Sequence, residues 1–161
     1  MMDFLLRSLV VGIGGTVAMD LWAILLNRIF ALPLPNWAMV GRWFAHVPKG
    51  VLMHKDIAKS APVANEKAIG WFSHYAIGVI YAAVLIALAG PEWSAGPSFL
   101  PALAIGLVTV GAGWFILQPG MGAGWAASLK PNPWRVRALN IAAHVVFALG
   151  LYVTALLVSG F

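Results

Sequence analysis

Apolar residues run along this chain in four long blocks, and the stretches between them gather most of the prolines and charges. The block from Gly70 to Gly90 is the cleanest, with no Asp, Glu, Lys or Arg in 21 residues. At about 1.5 Å per helical residue that length crosses a hydrocarbon layer of roughly 30 Å. With its flanks it predicts a span over about 66–90. The other blocks predict spans over about 4–30, 98–118 and 134–159. The first could be taken for a secretory signal, but its apolar run continues to about Phe30, too long for such a segment.

Polar and small residues inside the blocks are not scattered. Ser8, Gly12, Thr16, Asp20, Ala23 and Asn27 recur at three- and four-residue steps and share one face of span 1. Gly70, His74, Gly78 and Ala82 do the same in span 2, and Asn140, His144, Ala148 and Leu151 in span 4. Small residues on such stripes let helices approach closely, so the polar groups among them face protein rather than lipid. Gly106, Gly111 and Gly113 keep span 3 slim, and Gln118-Pro119 closes it. Asn132 and Pro133 predict a capped start for span 4.

The longest connection, 31–68, begins with Pro33 and Pro35. Asn36 predicts a cap for a short helix, WAMVGRWFAHV, ended by Pro48, whose tryptophans suit a membrane interface. A loop of this length is expected to be ordered and able to cover a site. Its His46 and His54 read as interfacial histidines, His54 being the better candidate for a polar site. The glycine-rich stretch after Gln118 predicts a re-entrant or interfacial segment.

Composition then narrows the class. With 61% hydrophobic and 9% charged residues, the chain cannot cover a water-facing surface, which takes about 25% charge. The fold class predicted is all-α: a polytopic membrane four-helix bundle, one integral domain over 1–161 with a long interfacial cytoplasmic loop. The chain has no cysteine, which excludes disulfides, thiolate ligands and cysteine nucleophiles. Its net charge of +5 sits in loops between spans, so anionic lipid headgroups at the cytoplasmic face explain it better than nucleic acid does. Nine of the ten basic residues fall on the side where spans 1 and 3 end, and only Arg7 on the other. The positive-inside rule therefore predicts both termini outside the cytoplasm and the two long loops inside.

The chemistry resides in a few groups at related depth. His74 lies about nine residues into span 2 and His144 about eleven into span 4, a difference of only about 3 Å along parallel helices. Asp20 sits near the same end of span 1, and Gln118 ends span 3. His74 and His144 are expected to face one another with Asp20 near, in a pocket opening to the cytoplasm. Neutral imidazoles there could hold haem or a divalent metal, with Asp20 as a further ligand. A proton-linked or solute-binding site is the competing reading, with Gln118, Asn140 and His54 as its further polar groups. The plainer alternative is that these groups hydrogen-bond across helices as glue. No catalytic residue is identified, because Ser73 and His74 are helical neighbours that point apart.

The runs VGRW, GWFSHYAIG, QPGMG, PNPW and AHVVFALGLY resemble those of a bacterial family of small four-helix inner-membrane proteins, a domain of unknown function. The resemblance covers nearly the whole chain and implies the four-span layout, but no activity, substrate or catalytic residue. Two functional classes follow from the residues: a membrane protein binding or transporting a small solute, proton, metal or haem, and an accessory subunit packing against a larger membrane complex or a second copy. Tolerance of Asp20→Asn separates them.

Overall fold

Prolines and glycines cut the apolar blocks into helices close to the predicted bounds. The structure, a computed structural model, describes residues 1–160. Among these residues there are five helices and no strand: α1 (Met2–Phe30), α2 (Trp37–His46), α3 (Glu66–Ala95), α4 (Phe99–Ala112) and α5 (Pro133–Val158). A π-helical turn, Gly113–Leu117, and a last helical turn, Gln118–Gly120, continue α4. Four stretches are long and apolar enough to cross a membrane: Met2–Phe30, Glu66–Ala95, Phe99–Gly120 and Pro133–Val158.

Two helix ends depart from the expected ones. Span 2 was expected to stop at Gly90-Pro91. Gly90 does break the axis, with φ 81°, but Pro91 then starts a further helical turn that reaches Ala95. Proline suits a first helical turn because no partner is needed there for its missing N–H. Span 3 was expected to close at Gln118-Pro119, yet it continues to Gly120. The Pro119 ring would press on the carbonyl four residues back, that of Phe115. The wider π turn relieves this, with Gln118 N–H bonding to Gly113 O.

The described residues fall into two compact units. One comprises Met1–Leu34, Tyr75–Thr109 and the chain from Ala142 onward; the other comprises Pro35–His74 and Val110–Ile141. The core of the first unit is Val11 of α1, Ala82, Leu85 and Ile86 of α3, Ala102 of α4, and Phe147 and Leu151 of α5. The small-residue stripe of α1 lies against α3. A Cβ on Gly12 would stand 2.5 Å from Val79 Cα, and one on Gly78 would meet Thr16 Oγ1. Ser8 and Thr16 are buried and return their hydroxyl protons to carbonyls one turn back, Phe4 O and Gly12 O. Leu21, Ile80, Leu88, Val108 and Leu157 are exposed, as a lipid-facing surface requires.

Arg7 is put to structural use in this unit. It pairs with Asp3 at 2.8 Å and donates to Val158 O at 2.9 Å and Ser94 O at 3.5 Å. Its charge thus sits on backbone carbonyls at the ends of α3 and α5, where a cation offsets the helix dipole.

The second unit is built on another close approach. A Cβ on Gly41 of α2 would meet Glu66 O and Gly70 N of α3. Asn36 caps α2 as expected, accepting from Met39 N–H at 3.3 Å, and Asn132 caps α5, accepting from Arg135 N–H at 3.1 Å. The connection after α2 is ordered by Arg42, which is only 6% exposed. It forks onto the Glu66 carboxylate with two bonds of 2.8 Å and donates to Ile57 O, Ala58 O and Ser60 O at 2.9–3.3 Å. The glycine-rich stretch after α4 is a tight loop with a 3₁₀ turn, Trp125–Ala127, in which Ala126 and Ala127 both adopt left-handed φ. Arg137 donates to Ala126 O at 2.8 Å and so holds that turn.

Candidate functional site

In the first unit, the stripe that brings Gly12 to α3 continues to Asp20. Its carboxylate accepts a hydrogen bond from the Tyr75 hydroxyl at 2.8 Å. Tyr75 was not among the expected site residues. It lies three positions before Gly78, so the stripe that locates Gly78 on α1 also carried the signal for Tyr75. His144 of α5 reaches α4 in the same unit. Its Nδ1 is 3.1 Å from both Gly106 O and Thr109 Oγ1, while Thr109 donates to Gly106 O at 2.9 Å. A carbonyl can only accept, so His144 Nδ1 carries a proton and the neutral ring keeps its lone pair on Nε2.

In the second unit, the structure brings Gln118 and Asn140 together. Gln118 Nε2 donates to Asn140 Oδ1 at 2.8 Å, and Trp114 Nε1 donates to the same oxygen at 3.1 Å. His74 lies under aromatic cover. Trp37 of α2 stacks on its ring at 4.0 Å between centroids, with Trp71 at 6.1 Å. Trp37 belongs to the connection after span 1 and His74 to span 2, so the two elements meet at this stack. Asp20 and His144 belong to the first unit and His74 to the second.

The pair His46 and His54 was underrated by the sequence. His54 Nδ1 is 2.9 Å from Gly120 O, and His54 Nε2 is 2.9 Å from His46 Nδ1. Since Gly120 O only accepts, neutral His54 donates through Nδ1 and receives the His46 Nδ1 proton at Nε2. Burial, then the neighbouring His54, Lys49 and Arg42, hold His46 below its ordinary imidazole range. Arg42 itself is held above its usual range by its hydrogen bond to Glu66. Nothing periodic linked Gly120 to His54, which stands 66 residues away.

Chemically, these groups can bind and pass protons or hydrogen-bond a polar molecule. Among the described residues no group of three or more His, Asp or Glu side chains is placed to hold a metal ion. Four apolar helices of membrane length, with polar side chains paired between them, define a small multi-pass helical membrane protein. The chain matches, over residues 9–158, the family described as "Protein of unknown function (DUF2938)", and it belongs to that family. No curated protein and no solved structure matches it.

Proposed function

We propose that this is a bacterial inner-membrane protein that binds or moves protons, with Asp20 as the proton-carrying group and Tyr75 as its hydrogen-bonding partner. The observation that carries the reading is the carboxylate itself: Asp20 sits inside a membrane-length helix, with a phenol hydroxyl 2.8 Å away on α3. Ionisable groups at such depth are expensive to keep and mark ion or proton pathways. The Tyr75 hydroxyl donates to the carboxylate, and a hydroxyl can turn to accept from a protonated carboxyl. His144, whose Nδ1 is already committed, supplies a second titratable group in the same unit. His74, stacked on Trp37, is a third candidate in its own unit.

The metal and haem readings draw no support from the side-chain groupings, and we set them below the proton one. The positive loops support cytoplasmic placement beside anionic lipid headgroups, with both termini outside. An accessory role beside a larger complex, or as a homo-oligomer, predicts that Asp20 can be neutralised without consequence. Infrared titration of the reconstituted protein separates these readings. The wild type should show a protonated-carboxyl band that comes and goes with pH and is missing in Asp20→Asn. Identical titrations in both would mean that Asp20 exchanges no proton, which rejects the proposal.

A further inference from the structure

We infer that the Trp114, Gln118 and Asn140 cluster is a binding site for a small solute that offers an N–H or O–H donor. Hydrogen-bond chemistry fixes how the two amides lie. An indole N–H can only donate, so the Asn140 atom 3.1 Å from Trp114 Nε1 is the carbonyl oxygen. That oxygen can only accept, so the Gln118 atom 2.8 Å from it is the amino group. What is left of the Gln118 amide is its carbonyl oxygen, Oε1, which is buried and has no hydrogen-bond partner. Flipping either amide would set donor against donor or acceptor against acceptor. The orphan is therefore an acceptor. Asn140 Oδ1 is itself an acceptor, holding two donors, and cannot satisfy it.

The backbone points to the same place. Gln118 follows directly on the π turn Gly113–Leu117, and Trp114 lies within it. Such turns re-aim side chains and recur at functional sites. Here the turn brings Trp114 and Gln118, four residues apart, onto one oxygen of α5. The hydrogen-bonded set holds no charged side chain, so its ligand is recognised by hydrogen bonding beside an indole rather than by ion pairing. An alcohol or an amine meets that description. The inference stands apart from the proton reading, since these residues belong to the second unit and Asp20 to the first.

Thermal unfolding of the full chain in detergent tests it with two matched probe pairs: methylamine against tetramethylammonium, and glycerol against its trimethyl ether. In the second member of each pair every N–H or O–H hydrogen is replaced by a methyl group, so it has no donor. A saturable rise in Tm at millimolar methylamine or glycerol, absent with the methylated counterparts and absent in Gln118→Met, is the expected result. A response to methylamine alone assigns an amine ligand, and one to glycerol alone assigns a hydroxyl. If no probe shifts the wild type, or if the methylated probes match the donors, the orphan acceptor is no binding site. An unchanged response in Gln118→Met would place any binding elsewhere. The comparison between donor and methylated probes on the wild type decides the matter even if the variant fails to fold.

Discussion

At the scale of single residues, Arg42 does the work that orders the connection between the first two spans. Its guanidinium bonds a carboxylate through two nitrogens and three carbonyls through the third. A lysine could supply the charge but not that planar fork. Arg42→Lys should therefore loosen residues 47–60, seen as rapid proteolysis there while the spans stay protected. Unchanged cleavage would show that the loop holds without it. His46 gives a prediction in pH. Its folded value lies below the ordinary 6.5, so on acidification the unfolded chain takes up a proton before the folded one does. Its contribution to stability is present above the ordinary value and lost as pH falls toward the folded one. Between about pH 7.5 and about pH 5.5 the wild type should lose thermal stability more steeply than His46→Gln. Parallel curves would remove His46 as the cause.

Among the elements, the small-residue stripe on α1 is the most demanding. A Cβ at Gly12 meets the Val79 backbone, which cannot rotate aside, whereas one at Gly113 meets nothing within 4 Å. Gly12→Ala should destabilise the protein by about 1–3 kcal/mol, as overpacking does, with Gly113→Ala close to neutral. Equal melting temperatures for the two variants would contradict the close approach of α1 and α3. This stripe, the four spans and the caps at Asn36 and Asn132 were legible because helical periodicity and capping chemistry are local. The π turn was not, since it arises from Pro119 acting on a carbonyl four residues earlier inside an otherwise regular apolar run. Gln118 was legible as a polar residue at related depth, and Asn140 as a polar residue on the face that carries His144. Their sharing of one oxygen with Trp114 was not, because that depends on how the turn re-aims both side chains. The histidine pair and the Arg42 fork rest on tertiary contacts that leave no mark in the hydrophobic pattern.

For the whole molecule, basic residues cluster in the connections after spans 1 and 3, and the one exception, Arg7, is engaged with helix-end carbonyls. Single cysteines at the exposed positions Ala95 and Lys59 should label from opposite sides of intact cells, with only Ala95→Cys reached by an impermeant reagent. The reverse pattern would invert the topology. Whether Asp20 carries a proton across is read in sealed vesicles holding the purified protein and a trapped pH-sensitive dye, with an imposed potential. The wild type should change internal pH well above the rate of empty vesicles, and Asp20→Asn should lose at least about tenfold of that rate. Asp56→Asn, outside the spans, should not. Flux in Asp20→Asn equal to the wild type would contradict that role, and wild-type vesicles no faster than empty ones would reject proton movement and leave proton binding alone.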